Sequence, residues 1–123
     1  MKLEIKKMWV EALRSGKFKQ GTKVLRSIND EFCCLGVLCE LHRQNHPDKE
    51  WMPSGDNNFF KYMGNFGILP FEVTKWAELD DYEPKIMFNN KSELLYMLND
   101  GNENANLEQL NFNQIADLIE KQY

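Results

Sequence analysis

The sequence predicts an α+β fold: one domain over residues 1–123 with four to five helices, a small antiparallel hairpin or sheet, and a central buried helix over 34–45. Three observations carry this. Apolar residues recur at helical spacing near both ends, as Ile5, Met8, Trp9, Ala12 and Leu13 and again as Phe112, Ile115, Ala116 and Ile119. Between them, the ten residues from Phe32 to Leu41 carry a single charge and all three cysteines, so a core must close around them. Short runs of β-formers cut by Gly, Asn and Pro supply two to four brief strands.

Taken in order, the first helix is amphipathic, with lysines and Arg14 on its other faces and Gly16 just past its end to close it. Phe18 to Gly21 reads as a turn, and Thr22 to Ser27 as a short strand. Asn29-Asp30 gives a second turn, so a hairpin leads into the central helix. That helix uses Leu35, Leu38 and Leu41, with Cys34 and Val37 alongside, and must stop before Pro47. Gly36 in its first turn costs about 1 kcal/mol relative to alanine, so something packs closely there, either core or ligand. Residues 47–69 are irregular and aromatic, with a strand expected around Phe59 to Met63. Pro70 suits the first position of a short helix through Leu79. Asp80 to Lys85 reads as a loop, Ile86 to Phe88 as a brief strand, and Ser92 as the N-cap of a helix using Leu94, Leu95 and Leu98. Asn111 with Gln114 three residues on forms a capping box for the last helix.

Composition bounds the function classes. The longest apolar run is far short of the ~20 residues of a membrane span, and lysines interrupt the N-terminus, so the expected setting is cytoplasmic with reduced thiols. A net charge of −4 hides a basic segment: residues 1–30 carry +5 and residues 31–123 carry −9. General duplex DNA binding is disfavoured, and a local anion site is allowed.

Trp9-x-x-Ala12-Leu13-Arg14-Ser15-Gly16-Lys17-Phe18-x-Gln20-Gly21, then Phe32-Cys33-Cys34-Leu35-Gly36-Val37-Leu38-Cys39-x-Leu41, resembles a family of small proteins common in bacteriophage and prophage genomes. The C-terminal block, Leu98-Asn99-Asp100 and Phe112-x-x-Ile115-Ala116-Asp117-x-Ile119-Glu120, fits the same pattern. The resemblance implies a setting in the host cell, where such proteins act on host machinery or defence, and assigns no reaction.

Four constellations bear on chemistry. Cys33, Cys39, His42 and His46 are zinc-ligand types, but positions 39, 42 and 46 span about 10 Å of helix, too far for one ion. Cys34 with His42 or His46 has the parts of a nucleophile and base, set among apolar neighbours that disfavour a thiolate. Asp100, Asn102 and Asn104 match the start of a calcium loop, yet Ala105 stands where glycine is required and Asn111 where a bidentate Glu is required. No metal and no cofactor is expected. The fourth is a ligand surface: Gln20, Gly21, Lys23 and Arg26 run toward Cys34 and Gly36 at the helix start, with Asn99 and Asp100 of the C-terminal block completing the candidate set. Trp51 or Tyr62 would stack a base.

The expected function is therefore a non-enzymatic accessory protein of phage type that binds a small anionic ligand, a nucleotide, and sequesters a nucleotide signal of host defence. Two alternatives stand beside it. One is an interaction module docking on a host or phage protein through the acidic C-terminal region or the aromatic segment 51–66; the other is a cysteine- or zinc-dependent protein. A homo-oligomer is compatible with all three.

Overall fold

Ile5, Trp9, Val10 and Leu13 fall on one side of helix α1 (Leu3–Arg14), and that side is buried. The structure, a computed structural model, describes residues 1–123. The helix closes at Ser15, and Gly16 takes the left-handed backbone (φ 75°) that an L side chain rarely adopts.

Three two-residue strands follow, β1 (Lys19–Gln20), β2 (Arg26–Ser27) and β3 (Glu31–Phe32). With β4 (Trp51–Pro53) and β5 (Phe59–Tyr62) they make a five-stranded sheet in the order β1-β3-β2-β5-β4. The expected hairpin is β2–β3, turning at Asp30 (φ 60°) and pairing Arg26 with Phe32. Two features differ from expectation. Lys19–Gln20 is a strand lying parallel to β3, with Gln20 opposite Phe32. The strand expected over 22–27 shrinks to Arg26–Ser27, because Lys23 turns left-handed (φ 72°) and gives its amide to Asp100, while the Leu25 amide goes to the Phe66 carbonyl.

Helix α2 (Cys34–Asn45) is the buried centre, with Cys34 through Cys39, Leu41 and His42 all inside. It ends two residues before Pro47, as the proline requires. Helix α3 (Phe71–Ala77) begins one residue later than expected, with Pro70 as its N-cap. Strands β6 (Lys85–Phe88) and β7 (Lys91–Leu94) form a separate hairpin over Asn89-Asn90, both at positive φ, a turn asparagine tolerates. Ser92 therefore sits inside β7 and is no helix cap. Helix α4 (Leu95–Asp100) starts from Leu94, because pairing Lys85 with Leu94 holds the preceding four residues extended.

Helix α5 (Phe112–Gln122) carries the expected capping box, with Asn111 Oδ1 accepting from the Gln114 amide and Gln114 Oε1 from the Asn111 amide. It packs along α1, and Arg14 reaches Asp117 and Glu120 across the pair. Its last residues fasten the second hairpin: the Gln122 amide exchanges two hydrogen bonds with the Met87 backbone as a strand would. One core cluster of 27 residues takes members from the helices and from strands of both sheets, so they share a single interior. No helix is long and apolar enough to cross a membrane.

Candidate functional site

Asn99 gathers most of the candidate residues. It is fully buried on α4, and its Oδ1 accepts from the Cys34 amide (3.1 Å) and from Gln20 Nε2 (3.1 Å). Its Nδ2 donates to the Gly21 carbonyl (2.9 Å) and to Asp100 Oδ1 (2.9 Å). Asp100 Oδ2 in turn accepts from the Lys23 amide (3.1 Å). Gln20, Gly21, Lys23, Cys34, Asn99 and Asp100 thus meet as the sequence suggested. They meet to satisfy one another.

The start of α2 is closed in the same way. The Cys33 thiol accepts from the Gly36 amide (3.4 Å), and the Cys33 amide goes to the Leu25 carbonyl. A Cβ on Gly36 would lie 1.8 Å from the Leu25 carbonyl oxygen, so the close neighbour anticipated at this glycine is the core backbone of residue 25. Donors that would serve an anion there are already engaged. The sulfurs are sealed too. Cys33, Cys34 and Cys39 are buried and free, and burial pushes the Cys33 thiol up to about 12 and the other two well above the ordinary range. In the asparagine-rich loop, Asn102 caps a single 3-10 turn (Glu103–Ala105) and bridges to Leu107.

Arg26 stands apart from this network. On β2 the register puts it beside Phe32 on β3 and Phe60 on β5. Its guanidinium lies 4.3 Å from the centre of the Phe60 ring, 5.4 Å from Phe32 and 5.5 Å from Trp51. This aromatic cage forms the floor of a groove of about 910 Å³ between the sheet and the outer ends of α1 and α2. Phe18 joins the apolar wall, and Lys17, Arg43 and Lys49 bring further positive charge, against Glu11, Glu40 and Glu50. Such stacking is worth about 0.5–1 kcal/mol at exposed positions and more where water is excluded.

Glu40 is a fixed part of the wall. Its Oε1 accepts from Arg43 Nε (2.8 Å) and Trp51 Nε1 (3.0 Å), and its Oε2 from Arg43 Nη2 (2.8 Å) and Gln44 Nε2 (3.1 Å). Burial works to raise this carboxyl, but the Arg43, Trp51 and Gln44 donors outweigh it, so Glu40 is held below the usual range. Trp51 is thereby locked in orientation. Of the two expected stacking residues, Trp51 lines the groove, whereas Tyr62 is fully buried and bonded to His42. Sequence reasoning missed Glu40 and Arg43; their signal was an opposite-charge pair three apart on the central helix.

The histidines form a second cluster, with His42 buried and His46 half-buried. His42 Nδ1 lies 2.6 Å from the Tyr62 hydroxyl, and the His46 ring stacks on His42 at 3.9 Å with Trp76 edge-on to both. Burial pushes His42 down to about 4, with the nearby His46 and Lys49 acting in the same direction and Glu72 and Asp48 against it. The folded state therefore holds His42 neutral. Stability from this site is complete above the unfolded-state value of 6.5 and drains away as pH falls toward 4. We expect urea unfolding to show a loss of about 2–3 kcal/mol between pH 7 and pH 4 attributable to this residue, and His42→Asn to flatten that part of the slope.

The chain is thus an α+β domain whose thiols and central helix start are closed and whose Arg26 guanidinium lies among aromatic rings lining a groove. A family model described as a domain of unknown function (DUF8296) matches residues 1–123, and the chain belongs to that family. No curated protein and no solved structure matches it.

Proposed function

We propose that the protein binds a small anionic ligand that carries an aromatic ring, a nucleotide, in the groove over Arg26. The observation that carries this reading is the Arg26 guanidinium stacked on Phe60 and flanked by Phe32 and Trp51 at the bottom of an open groove. A guanidinium held flat by rings keeps an in-plane edge for two parallel N–H···O bonds, the geometry that suits phosphate. The rings and the rim lysines offer a face for a base and charge for further phosphates. The buried, protonated thiols favour capture over transformation. The step from capture to function, withdrawal of a nucleotide signal of host defence, is supported by the resemblance of the terminal blocks to small phage proteins.

Thermal unfolding against mono-, di-, tri- and cyclic nucleotides tests this. A ligand at 100 times its Kd adds about 2.7 kcal/mol to stability, and Arg26→Ala should remove the shift, measured against that variant's own unliganded melting temperature, which the loss of the ring contacts and the Asp30 pair lowers. If none of these nucleotides stabilises the protein, the reading is wrong.

A further inference from the structure

Arg26 already holds an anion of its own. Its Nε and Nη2 both reach a single oxygen of Asp30, at 2.9 and 2.6 Å, across the β2–β3 turn. The two partners differ in their surroundings: the Arg26 side chain is 22% exposed in its cage, whereas Asp30 is 64% exposed on the turn. Asp30 also sits at φ 60°, a left-handed position that glycine, asparagine and aspartate occupy more readily than bulkier residues. The carboxylate itself is largely exposed, and its partner is also held by the rings of Phe60, Phe32 and Trp51. A carboxylate placed on the edge that a phosphate would take has the chemistry of an internal competitor.

Resting on the groove reading above, we propose that Asp30 is a displaceable counter-ion: the ligand's phosphate replaces the Asp30 carboxylate on the Nε–Nη2 edge of Arg26, and Asp30 swings out into solvent. The exchange is between like groups, so it needs no rearrangement of the sheet. It sets a threshold. An ion pair whose carboxylate is on the surface is weak and screened by salt, so a phosphate with greater charge displaces it, while a ligand bearing only a carboxylate gains little over what Arg26 already has. The device therefore selects phosphorylated ligands over carboxylated ones and keeps the groove's cation neutralised when empty.

The test is isothermal titration with ATP, AMP and inorganic phosphate at low and physiological salt, on the native chain, Asp30→Asn, Asp30→Gly and Arg26→Ala. Asparagine and glycine both tolerate the left-handed backbone at position 30, so the turn survives in either variant. We expect both Asp30 variants to bind ATP about fivefold or more tightly than the native chain, with the gain shrinking as salt rises, and inorganic phosphate to bind far more weakly because it has no ring for the cage. ATP binding that emerges only in the Asp30 variants supports the counter-ion role equally. If Arg26→Ala abolishes binding while both Asp30 variants bind no better than native, the counter-ion role is refuted and the groove stands. If ATP and AMP bind none of the four proteins, or bind Arg26→Ala as well as native, both proposals fall.

Discussion

Gly36→Ala is expected to cost at least about 3 kcal/mol, the largest loss from any single methyl in this chain. The new Cβ would sit 1.8 Å from the Leu25 carbonyl oxygen and 2.6 Å from its carbon, and neither atom is the movable end of a side chain. Relief requires the backbone of residue 25 to retreat, which breaks the bond from the Cys33 amide to that carbonyl and unseats the fully buried Leu25 side chain. Overpacking of this kind costs about 1–3 kcal/mol and a stranded buried amide about 1–3 more, against which alanine returns only about 1 kcal/mol of helix propensity. For a domain of this size the melting temperature should fall by roughly 10 °C. Gly67→Ala is the control: its backbone is not left-handed and nothing lies within 4 Å of its Cβ position, so it should melt as the native chain does.

Asn99→Ala should lose about 3–4 kcal/mol. The substitution removes no large apolar volume, so the effect comes from what it abandons: the buried Cys34 amide at the start of α2 and the half-buried Gly21 carbonyl, neither with another side-chain partner. Each stranded group costs about 1–3 kcal/mol. Asn99→Asp separates donor from acceptor roles. It keeps the oxygen facing Cys34 but sets a second oxygen against the Gly21 carbonyl and the Asp100 carboxylate, so at neutral pH it should destabilise about as much as alanine. Chemical denaturation of the three proteins at pH 7 decides between these outcomes. Asn99→Asp as stable as native would mean that the Nδ2 bonds contribute nothing.

The contrast between these residues and Arg26 shows what the amino-acid order made visible. Helices α1, α2 and α5 follow from apolar spacing, Pro47 and the Asn111–Gln114 box, because those signals act within a few residues of themselves. Strand β7 was hidden, since Lys91 to Leu94 is polar and is extended only by its pairing across Asn89-Asn90. Strands β1 and β4 were also missed, being two and three residues long and defined by partners elsewhere in the chain. The grouping of Gln20, Gly21, Cys34, Asn99 and Asp100 was legible as a set, but the absence of any spare donor was not, because it depends on atoms meeting across 65 to 79 residues. The groove is the least legible feature. Its walls come from α1, α2 and four strands, and a stacked guanidinium leaves no trace in local pattern.

The pairing of α1 with α5 has a further consequence, for the order in which the molecule assembles. The apolar side of residues 3–14 finds its main helical partner in residues 112–122, and Arg14 meets Asp117 across 103 positions. On a ribosome, the first helix emerges long before this counterpart, and of its long-range partners only α2, which takes the Trp9 indole at the Cys34 carbonyl, comes early. The entropy of closing so long a loop is lost before this packing returns anything, so the α1–α5 pair should form only once residues 112–122 have emerged, as a late event rather than by growth from the first helix.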